Sequence, residues 1–247
     1  MVETANSMGT TVTVEAPARP ELVAPLWHTV VMVSFLLGIS WLGAHSGTLF
    51  PGFIAGHIHS RTGSYSVMIA MEWAMVAFVW YGMRIQKRPF KDLFGTRRLT
   101  FTGVLRDLGI ASLFLIGSDI VLGIIAFSLG VHRNPAVARI SPQTKAEVVV
   151  FLLLSLSAGI CEEIVCRGYL QKQITVLIGN AGAAVVLQGI IFGAAHGYQG
   201  SKFMIIIAVY GCMFGTLALL RKSLHPGMMT HALQDGLAGV LVRHLAK

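Results

Sequence analysis

Long apolar stretches recur along this chain of 247 residues, and they constrain its fold more than any other feature. A helix that crosses a lipid bilayer needs about 20 predominantly apolar residues. Stretches close to or above that length lie at residues 23–44, 64–83, 102–131, 146–170, 181–198, 203–220 and 224–245. The sequence therefore predicts an all-α protein, a polytopic transmembrane helical bundle of about seven spans.

The composition supports a membrane protein and excludes several other classes. Hydrophobic residues make up 54% of the chain and charged residues 12%, with a mean hydropathy of +0.70. A soluble domain carries about a quarter charged residues, so this supply is too small to cover a water-exposed surface. A disordered chain and a collagen are excluded by the same values. Cys161 and Cys166 point in different directions on one predicted helix, so no disulfide framework is expected.

Basic residues give the chain a net charge of +8, and they cluster in the predicted loops. This distribution is typical of the positive-inside rule and of contact with anionic lipid headgroups rather than with nucleic acid. It predicts that the 84–101 loop is cytoplasmic. Residues 1–22 are polar and lack the basic start of a signal peptide, which predicts a disordered tail. The densest basic cluster comprises Arg84, Lys87, Arg88, Lys91, Arg97 and Arg98.

The segment 158–168 places three ionisable residues inside a predicted span, where each costs roughly 2.5–3.5 kcal/mol to insert. Glu163 and Arg167 are four residues apart and face each other on a helix, so they form a neutralising pair. Glu162 points about 100° away and has no partner nearby in the sequence. It is therefore a candidate general base. The alternative is that both carboxylates only hold helices together.

Two further segments place histidines in or beside predicted spans. His196 ends the string Phe-Gly-Ala-Ala-His, where small residues allow a neighbouring helix to approach closely. His231 and Asp235 are four residues apart and lie on one face of a helix that begins near Pro226. Each histidine alone could be a hydrogen-bonded packing residue. The residue types also fit activation of water by a carboxylate and histidines.

Together the three segments resemble the CPBP family of intramembrane proteases (CAAX-prenyl-protease and bacteriocin-processing proteins, or Abi family). The resemblance covers roughly residues 146–247 and rests on Glu-Glu-x-x-x-Arg, Phe-x-x-x-His and His-x-x-x-Asp in that order. It implies an intramembrane endopeptidase with a catalytic cavity inside the bilayer, expected in a bacterial plasma membrane. Its implied substrate is a membrane-associated or lipidated peptide or protein. The predicted organisation is a tail at 1–22, N-terminal transmembrane helices at 23–145 and a catalytic core at 146–247.

The resemblance also implies roles for individual residues. Glu162 would activate water with the help of His196, and His231 with Asp235 would stabilise the oxyanion. Glu163 and Arg167 would support the architecture. Where this chain has Asp235 the family commonly has Asn. Because an ionised carboxylate cannot donate a hydrogen bond, Asp235 is either protonated or orients His231.

Three alternatives remain open from the sequence. Glu162, His196 and His231 could form a catalytic zinc site, but the chain lacks the H-E-x-x-H metalloprotease motif. We therefore expect a metal-free, glutamate-type reaction that requires no cofactor. A proton-coupled transporter could use Glu72, Asp119, Glu162 and the histidines as a relay, yet no inverted repeat is visible. A membrane scaffold on a degenerated protease fold is the third alternative.

Overall fold

The computed structural model describes residues 21–46, 60–96, 100–131 and 135–245. Within these ranges the chain is helical and contains no β-strand, so the predicted all-α class is confirmed. Almost all of the predicted tail, as well as Arg97 and Arg98 of the basic loop, lies outside the described residues. The helices are α1 (Leu26–Ser46), α2 (Arg61–Ile85), α3 (Phe101–Ser128), α4 (Pro135–Ile140), α5 (Lys145–Glu163), α6 (Gln171–Ile178), α7 (Ala181–Ala194), α8 (Ser201–Arg221) and α9 (His225–Leu245).

Five of the described helical stretches are long and apolar enough to cross a bilayer, and the protein is an integral membrane protein. They are Leu26–His45, Arg61–Ile85, Phe101–Ser128, Lys145–Ile178 and Ser201–Arg221.

The other two predicted spans differ from these five. Helix α7 has 14 residues and ends at Ala194, before the predicted end at 198, because the chain turns there into a short 3₁₀ segment, Gly197–Gln199. Helix α9 has 21 residues but carries several polar side chains, including those that line the site described below. Both helices lie within the bundle and supply site residues.

Local sequence signals fix where the site helices begin. Thr144 precedes α5 and accepts a hydrogen bond from the Glu147 amide, and Asn180 does the same for the Ala183 amide at the start of α7. Such side-chain caps satisfy amide groups that a helix leaves unpaired at its first turn. Between these two starts, Gly179 ends α6 with a φ of 68°, a conformation that favours glycine. The entry points of α5 and α7 are therefore encoded locally.

Helices α5 and α6 form one long helix that is interrupted by a π-helical segment, Ile164–Leu170. The segment starts directly after Glu163 and all of its residues are buried. Near the end of this segment, the Tyr169 hydroxyl hydrogen-bonds His28 Nδ1 at 2.9 Å and the Thr29 hydroxyl at 2.8 Å on α1. Gln173 Nε2 also donates a hydrogen bond to the carbonyl of Ala24, just before the start of α1, at 2.8 Å. The far end of the long helix is therefore anchored to α1.

Helix α5 packs tightly against α9 at Gly159. A Cβ atom at this position would lie 2.7 Å from the Ala232 amide nitrogen and 2.8 Å from the Met228 carbonyl oxygen. Both are backbone atoms of α9, so the neighbour cannot yield by rotating a side chain. The absence of a side chain at Gly159 thus allows the two helices that carry Glu162 and His231 to approach closely.

We expect Gly159→Ala to destabilise the protein by about 1–3 kcal/mol, the usual cost of overpacking a core. Thermal unfolding in detergent measures the change. Gly117→Ala on α3 is the matched control, because a Cβ there meets nothing within 4 Å. An equal melting temperature for Gly159→Ala and the parent would contradict close α5–α9 packing.

Candidate active site

The predicted pair of Glu163 and Arg167 forms a buried ion pair. Arg167 Nη1 lies 2.9 Å from Glu163 Oε1, and both side chains are fully buried. Arg167 Nη2 also donates to the Gly211 carbonyl at 3.3 Å. The guanidinium stacks over the rings of Phe192 and Phe214, at 4.3 and 5.0 Å from their centroids. These contacts fix the pair in place.

His231 lies at the centre of a group of carboxylates. Its Nδ1 is 3.3 Å from Glu163 Oε1. Its Nε2 is 3.7 Å from Glu162 Oε2 and 3.7 Å from Asp235 Oδ2. The buried ring stacks on Phe214 with an interplanar angle of 28°. Because both ring nitrogens face carboxylate oxygens, the arrangement favours the imidazolium form, in which both are donors.

His196 is held with one ring nitrogen free. It follows α7 in the turn that begins at Ala195, and its Nδ1 lies 2.8 Å from the Phe192 carbonyl oxygen. A carbonyl can only accept, so Nδ1 carries the proton and donates. In the neutral ring Nε2 is then unprotonated and can accept a proton.

A cavity of about 500 Å³ brings the predicted catalytic residues together, since Glu162, His196, His231 and Asp235 all line it. The Glu162 side chain is 24% exposed and its Oε2 atom makes no hydrogen bond, while Asp235 is 43% exposed. Glu163 and Arg167 are not among the lining residues and lie behind His231. The structure thus separates four residues that line the cavity from two that are fully buried, and the chemical roles of all six stay predictions.

A second cavity of about 170 Å³ adjoins the first and is mainly apolar. Its wall includes Met68, Met71 and Met75 of α2, together with residues of α1. Glu162, His196 and Phe192 line both cavities. The Glu162 carboxylate is therefore at the junction of the two cavities.

Several further polar side chains line the larger cavity without having been predicted as catalytic residues, among them Glu72, Asp119, Tyr210 and Gln234. Glu72 of α2 is buried with Oε2 unpaired. The Tyr210 hydroxyl donates to Gln234 Oε1, and Gln234 Nε2 donates to Asp119 Oδ1 at 3.1 Å. Glu72 and Asp119 were detectable as ionisable residues within predicted spans. Tyr210 and Gln234 carry no comparable sequence signal.

The residues considered for zinc do not fit a metal centre. Among the described residues, no group of three His, Cys, Asp or Glu side chains is arranged to hold a metal ion. His231 would have to offer an unprotonated nitrogen to the metal. Both of its nitrogens instead face carboxylates, at 3.3–3.7 Å. We derive no step through a metal.

The comparison with known families concerns the part of the chain that contains these motifs. Residues 144–237 match the family model of the type II CAAX prenyl endopeptidases, Rce1-like. This segment is similar to that family and is called the Rce1-like domain below. The predicted resemblance is thereby confirmed over these residues. No curated protein and no solved structure matches the chain significantly.

The Rce1-like domain extends from the start of α5 into α9 and contains all seven named residues of the three motifs. Glu72 on α2 and Asp119 on α3 lie outside it. The cavity is therefore built partly by the Rce1-like domain and partly by the helices that precede it.

Proposed function

We propose that the protein is an intramembrane endopeptidase that hydrolyses a peptide bond by a glutamate-type mechanism without a required cofactor. One observation carries this proposal. The side chains of Glu162, His196, His231 and Asp235 line the same cavity, and all four residues belong to the Rce1-like domain. We assign the catalytic core to residues 146–247 and propose a bacterial plasma membrane as the location. The proposed substrate is a membrane-associated or lipidated peptide or protein.

The proposed reaction begins with a water molecule between the Glu162 carboxylate and His196 Nε2. Glu162 accepts a proton from the water as its oxygen attacks the scissile carbonyl carbon. The carbonyl oxygen becomes an oxyanion and accepts a hydrogen bond from His231 Nε2–H. Collapse of this intermediate breaks the C–N bond, and the proton held by Glu162 passes to the leaving amine. Carboxylate and amine products result, and Glu162 is again ionised.

Glu163 and Arg167 have a positioning role in this proposal. Glu163 Oε1 contacts both the Arg167 guanidinium and His231 Nδ1, so one carboxylate oxygen links the buried cation to the oxyanion donor. Arg167 in turn is clamped between two aromatic rings. This chain of contacts keeps His231 Nε2 directed at the cavity.

Cleavage of a farnesylated CAAX peptide by the protein in liposomes tests the proposal. Mass spectrometry should detect release of the tripeptide that follows the farnesylated cysteine, and an unlipidated copy of the peptide tests the need for the lipid. Activity should persist in excess chelator. Folded protein that cleaves neither peptide would contradict the proposed function and favour the scaffold alternative.

Asp235 allows a pH test of its role. If Asp235 is protonated and donates to the oxyanion, the rate should fall at alkaline pH as that proton is lost. Asp235→Asn would then keep activity and flatten the alkaline limb, because the amide is a permanent donor. Asp235→Leu should lose about 10²–10³-fold in rate, the usual effect of removing one oxyanion donor.

The contrary outcome assigns Asp235 to the orientation of His231, which lies 3.7 Å away. In that case Asp235→Asn should slow hydrolysis at every pH and leave the alkaline limb unchanged. The pH–rate profiles of the variant and the parent, recorded side by side, distinguish the two roles.

A further inference from the structure

Acidic side chains outnumber lysine and arginine in the walls of the two cavities. The carboxylates are Glu72, Asp119, Glu162 and Asp235. Among the described residues that line either cavity, none is a lysine or an arginine. Most of these carboxylates have a local partner, because Glu162 and Asp235 face His231 and Asp119 accepts a hydrogen bond from Gln234.

Glu72 differs from the others in its surroundings. It is 8% exposed and lines both cavities, and its Oε2 atom is buried without a hydrogen-bond partner. Ser157 on α5 is close enough to interact favourably with the carboxyl group, but a hydroxyl supplies no positive charge. Glu162 and Asp235 are both close enough to interact unfavourably with a charge on Glu72.

We propose that Glu72 is a subsite for a basic side chain of the substrate near the scissile bond. This inference rests on the proposed function and adds a substrate class to it. A lysine or arginine side chain would supply a positive charge that no lysine or arginine of the cavity walls supplies, and it would pair with the buried Oε2 atom of Glu72. An acidic side chain at the same place would add one more negative charge to a space enclosed by carboxylates, and it would be rejected.

The rival explanation is structural, since the contact of Glu72 with Ser157 could simply hold α2 against α5. The two readings differ for Ser157→Ala. This variant removes the Ser157 hydroxyl and retains the carboxylate of Glu72. If Glu72 is a subsite, Ser157→Ala should keep the parent's preference for basic substrates. If Glu72 only links the helices, Ser157→Ala and Glu72→Gln should alter the protein to the same extent.

The experiment uses the full chain in liposomes and farnesylated peptides that differ at one residue, which is lysine, glutamine or glutamate. The variable residue is placed in turn on each side of the scissile bond. At the matching position we expect kcat/KM to decrease from lysine to glutamine to glutamate, with about a tenfold or larger span between the extremes. Glu72→Gln should reduce that span to near unity, and Glu72→Lys should reverse the order.

Binding measured separately from cleavage keeps the test independent of the proposed function. Fluorescence anisotropy of the labelled peptides on the parent and on Glu162→Gln should give the same order of affinities. Asp119→Asn is the matched control, because Asp119 lines the same cavity but already accepts a hydrogen bond from Gln234, and it should preserve the lysine preference. The subsite is overturned if binding shows no charge preference, if Glu72→Gln keeps the parent's preference, or if Ser157→Ala loses it. Absence of cleavage together with charge-selective binding would contradict the proposed function alone.

Discussion

Glu162→Gln is expected to lower peptide hydrolysis by about 10²–10⁴-fold, the usual contribution of a general base, and to leave the protein folded. Glu162 is partly exposed to the cavity and its Oε2 atom makes no hydrogen bond, so the fold does not depend on its charge. His231 retains its contact with Glu163 in the variant. Initial rates in liposomes and thermal unfolding in detergent measure the two effects.

A matched control for this variant is Glu147→Gln, which neutralises a carboxylate in the first turn of the same helix. It should retain the parent's hydrolysis rate. Parent-like hydrolysis by Glu162→Gln would exclude Glu162 as the base. A large loss of stability in that variant would instead place Glu162 among the structural residues.

Glu163→Gln should have the opposite profile, with a loss of about 3–5 kcal/mol in the free energy of unfolding. The variant leaves the Arg167 guanidinium buried and without its countercharge, and it weakens the contact that positions His231. We therefore expect less folded protein, a lower melting temperature and reduced activity in the fraction that folds.

Replacing both partners separates these effects. Glu163→Leu combined with Arg167→Met removes both buried charges, and such replacements are often neutral for stability. The double variant should unfold near the parent's temperature while hydrolysis stays low, because His231 has lost its positioning carboxylate. If Glu163→Gln alone is as stable as the parent, the buried pair does not stabilise this fold.

The features that the sequence predicts correctly depend on local spacing. Apolar length predicts membrane helices, and a separation of four residues predicts the Glu163–Arg167 pair, since both are properties of one helix. The order of the three motifs predicts which family the segment 144–237 matches. The predicted end of the 181–198 span was wrong. Helix α7 ends at Ala194, but the apolar run continues through the turn that precedes His196.

The contribution of α2 to the cavity walls could not be predicted from local spacing. Helix faces in contact with lipid and faces in contact with protein are both apolar, so hydrophobic periodicity does not report which helices are neighbours. Helix α3, for example, exposes Leu113, Ile116 and Phe127 on its outer face. Glu72 was visible as an unusual charge within a span, but its position beside Glu162 depends on tertiary packing.

The π-helical segment changes the direction in which side chains point between the two halves of the long helix. Tyr169 and Gln173 follow Glu162 by seven and eleven residues, and at about 100° per residue both would return to nearly the same face as Glu162 in an unbroken α-helix. A π turn accommodates one extra residue, so the helix that follows lags by roughly 100°. Tyr169 and Gln173 can therefore point at α1 while Glu162 points at the cavity. A deletion of one residue within Ile164–Leu170 would remove this rotation. Glu162 and the pair Tyr169 and Gln173 would then lie on the same face of the helix, so they could not point at the cavity and at α1 at once.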